Sequence, residues 1–276
     1  PGAGGSVGAI GVSNAATTLT VSGTAVGDDG FRKDGAGTLV LSGTNTYSGG
    51  TSVTAGTLRA GSTQAFGSTS NNLSVASGAT ADLNGFNTSI GALQGAGNVT
   101  LGSATLTALA GGSFSGVISG SGGYTQGAGT QVMSGCNNTY TGATAINNNG
   151  QVTVDCLANG GQASGIGAST SAASNLLFNS GFLNYTGGNV NIDHGLTIQS
   201  GFGVLNVTNA ATTLGISGAV GGAGTLYKRG PGTVVLSGNN TYTGGTVVDQ
   251  AGILRAGSAT AFGNGYLNMG NVAGAT

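Results

Sequence analysis

The sequence contains no tryptophan and no glutamate, and only 5% of its 276 residues are charged. Glycoside-cleaving sites draw on two carboxylates at a set separation, whereas the acids here are seven scattered aspartates. A formal net charge of −1 supplies no field to steer nucleic acid or an acidic membrane surface toward the chain. No apolar run approaches the ~20 residues of a membrane-crossing helix, and no basic stretch leading into an apolar one marks a signal peptide. One histidine and two cysteines are too few for a zinc site, so no metal and no cofactor is expected.

Glycine is abundant, at 59 residues, without the three-residue period of collagen. Disorder requires low hydrophobicity or high net charge, and the chain has 38% apolar residues. The Val, Ile, Leu and Thr fall in short, even runs, which is the pattern of an ordered protein with many turns. The sequence opens and stops in mid-pattern, so it reads as one continuous segment, residues 1–276, of something longer.

Repetition dominates what is present. Ser42-Gly-Thr-Asn-Thr-Tyr-Ser-Gly-Gly-Thr51 returns as Ser237-Gly-Asn-Asn-Thr-Tyr-Thr-Gly-Gly-Thr246, 195 residues later. From Gly37 to Val53 against Gly232 to Val248, 13 of 17 positions are identical. A weaker third copy runs from Gly127 through Asn138-Thr-Tyr-Thr-Gly142. Within each copy, runs such as Thr38 to Leu41 and Gln151 to Val154 alternate with period two, as strands do. The best helix candidate, Thr170 to Ala173, is too short to nucleate.

Copies 92 and then 103 residues apart do not fit the period of about 40–50 residues of a propeller blade. They fit an all-β, right-handed, single-stranded parallel β-helix with roughly 20 to 25 residues per turn and on the order of a dozen rungs. On such a coil the repeated phrase is a corner. Asn45 is expected to hydrogen-bond its own backbone through the bend, Gly49-Gly50 to supply positive φ, and Tyr47 to lie along the corner with its hydroxyl in water.

Gly35-Ala-Gly-Thr-Leu-Val-Leu-Ser-Gly43, Asn45-Thr-Tyr47, Gly49-Gly-Thr51 and Ala55-Gly-Thr-Leu58 together resemble the passenger-associated β-strand repeat of autotransporters, the type V secreted surface proteins of Gram-negative bacteria. The resemblance extends through residues 78 to 101 and 164 to 187, and so covers nearly the whole chain. It implies a passenger displayed at the cell surface and held by a C-terminal outer-membrane barrel. The functions it implies are adhesion to a host-cell or extracellular-matrix component, self-association with another copy, or service as a rigid stalk. It does not imply an enzyme.

The residues that could carry chemistry are few. Asp193 and His194 could enter a Ser-His-Asp triad, but the turn-like context makes His194 a solvated corner. Gly4-Gly-Ser-Val-Gly8 matches the GxSxG string without the helix a nucleophile elbow requires. Asp28, Asp29 and Asp34 lack the further oxygen ligands of a calcium loop. The six basic residues, Arg32, Lys33, Arg59, Lys228, Arg229 and Arg255, all fall in the two good copies. They are either contacts for acidic host glycans or, as we prefer, part of the duplicated repeat itself. Cys136 and Cys156 lie about one rung apart and are expected to form a disulfide worth about 3 kcal/mol. A β-helical polysaccharide-degrading enzyme is weakened by the missing carboxylate pair. An ice-binding coil is weakened by the lack of a regular Thr-x-Thr ladder.

Overall fold

The computed structural model describes residues 7–270. It is a parallel β-solenoid of short strands, with one 3₁₀ turn, Ala173–Asn175, at the place where the sequence came nearest to a helix. Among the described residues no helix is long and apolar enough to cross a membrane. The chain divides into two compact units at Thr125/Gln126.

In the first unit one parallel ladder runs through Gly8–Gly11, Phe31–Asp34, Thr51–Val53, Leu73–Val75, Leu93–Gly95 and Gly112–Phe114. A second runs through Thr18–Val21, Thr38–Leu41, Thr57–Ala60, Thr80–Asp82, Asn98–Thr100 and Val117–Ser119. A third face gains strands only later, at Thr88–Ile90 and Leu106–Ala108. Alternation with period two sends every second side chain inward. In-register stacking then builds apolar columns: Leu39, Leu58, Ala81, Val99 and Ile118 follow one another in the second ladder and are all fully buried. Each buried Leu, Val or Ile contributes about 1.5–3 kcal/mol.

The second unit has three ladders of its own. The longest passes from Thr130–Met133 through Gln151–Val154, the C-terminal halves of Leu176–Tyr185 and Leu196–Val207, then Thr225–Arg229, Thr246–Val248 and Leu267–Asn268. Another holds Val190–Ile192, Thr213–Ile216, Thr233–Leu236 and Ile253–Ala256. The third joins Thr144–Asn147, the first halves of the two long strands, and Val220–Gly222. Periodicity suggests separate strands at 175–178 and 182–185. They are one strand bent at Ser180, whose φ is +59°, with the register slipping there.

The repeated phrase is indeed a corner, but its parts act between coils. Asn45 Oδ1 accepts the Ala25 N–H at 2.8 Å and its Nδ2 donates to Ala65 O at 2.7 Å. Asn240 does the same with Val220 and Ala261. The expected bond to its own backbone is therefore replaced by a clamp across three coils, because coils stacked about 4.8 Å apart bring both neighbours within reach of one amide.

Tyr47 is also corrected, for it is buried. Its hydroxyl meets Thr51 Oγ1 at 2.7 Å, and that Oγ1 donates onward to Phe66 O. Tyr140–Thr144 and Tyr242–Thr246 repeat the arrangement, with the same onward bond to Ile166 O and Phe262 O. Threonine's proton is committed to the carbonyl, so the tyrosine is the donor. The following glycines have different tasks. A Cβ on Gly49 would stand 2.3 Å from Gly30 N in the coil beneath, while Gly50 sits at φ +95°.

Candidate functional site

The basic residues separate into two kinds. Lys33 and Lys228 are 0% and 1% exposed, which removes both as contacts for a glycan. Lys33 Nζ donates to Asp34 O, Gly35 O at 2.6 Å and Ala55 O. Lys228 Nζ donates to Gly230 O, and in the middle repeat buried Gln126 donates to Ala128 O. In all three copies an inward polar side chain thus binds the carbonyl two residues on. It closes the turn between two strands, where a chain without such a donor would bury unpaired carbonyls.

The arginines lie at or near the surface. Arg32 pairs with Asp34, Arg59 with Asp82 and Arg229 with Asp249, at 2.8, 2.7 and 2.6 Å. Arg255 is exposed and has no ion pair among the described residues. Arg59 stacks in register on Asp82 of the next coil. Arg59 and Arg229 are thus neutralised from the neighbouring coil and Arg32 from within its own strand, and no cationic cluster forms among the described residues for a polyanion to read.

Burial also sets a pH signature. It pulls the Lys228 ammonium down from 10.5 to about 8, against the opposing pull of Asp249. It pushes the Tyr47 hydroxyl up to about 12, against its bond to Thr51, and raises Tyr140 and Tyr242 as well. Between pH 8 and 10.5 the unfolded lysine holds a proton that the folded one has lost, so stability rises with pH. Above about 10 the unfolded tyrosines ionise while the folded ones stay neutral, so stability falls. Urea denaturation across pH 7 to 12 is expected to show a maximum near pH 10, with the rise diminished in Lys228→Gln.

His194 is corrected from a solvated corner to a buried one, at 1% exposure, with no partner for either ring nitrogen. The long loop after Cys156 covers it. Asp193 accepts the Gly160 N–H at 2.7 Å, and the Gly195 N–H binds Ser171 O, so both neighbours of the histidine are tied to that loop. Burial lowers its pKa, against Asp193. With Asp193 turned to a backbone amide and the ring sealed, the two do not form a catalytic pair. Ser6 of the GxSxG string lies outside the described residues. Among the described residues no cluster of three metal-binding side chains occurs, and Asp28 and Asp29 are exposed.

Cys136 and Cys156 are bonded, with Cα atoms 5.3 Å apart. They follow Thr130–Met133 and Gln151–Val154, two paired strands on consecutive coils. In the other copies this corner is held by a hydroxyl, Ser62 Oγ to Gly43 O and Ser258 Oγ to Gly238 O, both 2.8 Å. Cys156 occupies the serine's place. The covalent link stands where the ladder of Val190–Ile192 has no strand from these two coils.

One surface feature is absent from the sequence reading. On the longest ladder of the second unit, Phe182, Phe202 and Tyr227 are half-buried on successive coils, their ring centroids 5.5 and 5.8 Å apart and edge-on to one another. Arg229 lies 5.5 Å from the Phe182 centroid and 5.7 Å from that of Tyr227. Asp249 holds its Nε and Nη2. Beside the rings runs a polar column in register, Thr153, Asn184, Asn206 and Arg229. Asn206 donates to Asn184, which donates to Gln151 and Thr153. A shallow cleft lies between Phe202, Tyr227 and Arg229. Phe182, Phe202 and Tyr227 are 20 and 25 residues apart, a spacing that marks aromatic stacking only once the coil length is known.

The chain matches the model of the passenger-associated-transport-repeat at residues 31–60, 125–154 and 226–256. The curated protein named adhesin BmaC autotransporter, from Brucella suis biovar 1 (strain 1330), is 57% identical over 271 residues. That alignment covers 97% of this chain, which spans only 8% of the length of the relative. No solved structure matches.

Proposed function

We infer, from the premise that this chain belongs to the passenger-repeat proteins of the autotransporters, that it is a surface-displayed adhesin segment acting by contact with a host-cell or matrix component. The observation that carries this reading is the 57% identity over 97% of the chain to a protein named as an adhesin autotransporter. In the full-length protein such a passenger is held at the outer membrane by a C-terminal barrel. The fold of each unit supports contact through its surface. Hydrogen bonds and apolar columns inside each unit leave outward faces of Thr, Ser and Asn, where weak contacts can add by avidity.

We read the segment as a binding surface and not a catalyst. Supporting this, His194 is sealed under a loop and Asp193 is committed to a backbone amide. The test is binding of the purified, fluorescently labelled chain to host epithelial cells and immobilised matrix proteins, with an unrelated β-solenoid as control. Saturable binding above the control is expected. Binding no better than the control would reduce the segment to a stalk.

A further inference from the structure

We propose that the strip formed by Phe182, Phe202, Tyr227 and Arg229 binds a linear, uncharged glycan lying across the coils. This deepens the adhesin reading and rests on it for its biological setting, though glycan binding can be tested apart from it.

The strip departs from the rest of the scaffold. Elsewhere the tyrosines of the repeat are buried donors to threonine, and Tyr185 donates to Gly188 O. Tyr227 is half-exposed, and its hydroxyl makes no hydrogen bond within the described residues. Three aromatic rings at the surface gain nothing for the interior columns, and apolar surface in contact with water is unfavourable. Arg229 is fixed in place by Asp249 on the next coil and by two rings, so a ligand would not have to immobilise it. Of the guanidinium's five N–H donors, those engaged by Asp249 leave others for an acceptor oxygen.

The chemistry of the strip selects its occupant. A pyranose ring has one face of C–H groups and a rim of hydroxyls. Phe182 and Tyr227 share one column, in register with Val204 between them, and Phe202 stands two residues before Val204. The Thr153, Asn184, Asn206 and Arg229 column runs beside Phe182 and Tyr227, so the two characters lie side by side. The coil repeat of about 4.8 Å is close to the length of one sugar unit in an extended chain, so successive sugars meet successive coils. Asp249 cancels the charge of Arg229, which removes the attraction for a sulfated or carboxylated polymer. A second copy of the chain is a poor occupant, because three half-buried rings fall short of the roughly 800 Å² per partner of a stable interface.

The test uses the whole chain, titrated with linear hexasaccharides of glucose, galactose, mannose and N-acetylglucosamine, and with a heparin hexasaccharide. At least one neutral hexasaccharide is expected to bind, with affinity unchanged between about 0.05 and 0.5 M salt. Tyr227→Ala and Arg229→Gln are expected to weaken that binding at least tenfold, while Tyr227→Phe, which keeps the ring, weakens it less. Arg59→Gln, in the other unit, leaves it unchanged. Thermal unfolding of each variant shows whether a loss is one of folding. Binding of heparin alone, failure of every neutral hexasaccharide, or wild-type affinity in a folded Tyr227→Ala would overturn the proposal. So would sedimentation showing a dimer that Tyr227→Ala dissolves. Cell attachment measured on the same variants separates the two readings. Attachment without neutral-glycan binding sinks the strip and leaves the adhesin, whereas glycan binding without attachment does the reverse.

Discussion

Replacing Lys33 with methionine is expected to lower the stability of the first unit by on the order of 3–5 kcal/mol, although methionine is apolar and of similar length. The ammonium serves three backbone carbonyls, Asp34 O, Gly35 O and Ala55 O, from a fully buried position. Asp34 O keeps the Val12 N–H at 2.9 Å, but Gly35 O and Ala55 O lose their donor, and each buried acceptor so left costs about 1–3 kcal/mol. Lys33→Gln is expected to cost only about 1–2 kcal/mol, because the middle repeat performs the same task with Gln126. Urea denaturation of the three proteins, together with hydrogen exchange at the amides of residues 33 to 57, measures the difference. Equal stability of the methionine and glutamine variants would show that the donor does not hold the turn.

Removing the disulfide is expected to have the next largest effect. With a sequence separation of 20 between Cys136 and Cys156, chain-entropy arguments give about 3 kcal/mol. Cys136→Ala combined with Cys156→Ala should lose that amount, and exchange should quicken at Gly135 and Gly165, whose amides bind Asp155 Oδ1 and Cys156 O at this corner. Cys136→Thr combined with Cys156→Ser should recover about 1 kcal/mol, since it rebuilds the hydroxyl-to-carbonyl bond of Ser62 and Ser258. Mass spectrometry after alkylation without reductant checks the premise, and two modified thiols would remove it.

Amino-acid order alone was enough to settle the class of fold. Period-two runs, glycine-rich corners and a phrase written three times specify stacked parallel strands, because a short strand with one apolar side can bury it only against its own repeats. It also pointed to the cysteine pair and to the near absence of usable charge. It did not determine which side of the coil a repeat faces. Thr130–Met133 is the counterpart of Thr233–Leu236, yet it stands in the ladder of Thr225–Arg229, the strand before that counterpart. A repeat of two strands and a loop can enter a three-sided coil on any side, and the lengths of the intervening loops choose.

The same limit explains Lys33, Tyr47, Asn45 and His194. Residue type suggests water for a lysine, a tyrosine hydroxyl or a histidine beside an aspartate. The stacked coils offer them carbonyls and hydroxyls from the turns above and below, or in the histidine's case a covering loop. The aromatic strip is the clearest instance. Phe182, Phe202 and Tyr227 are unremarkable at their separations in sequence, and only the coil length brings each ring within 6 Å of the next. Local pattern fixes what each segment becomes, and the register of one coil on the next fixes what its side chains meet.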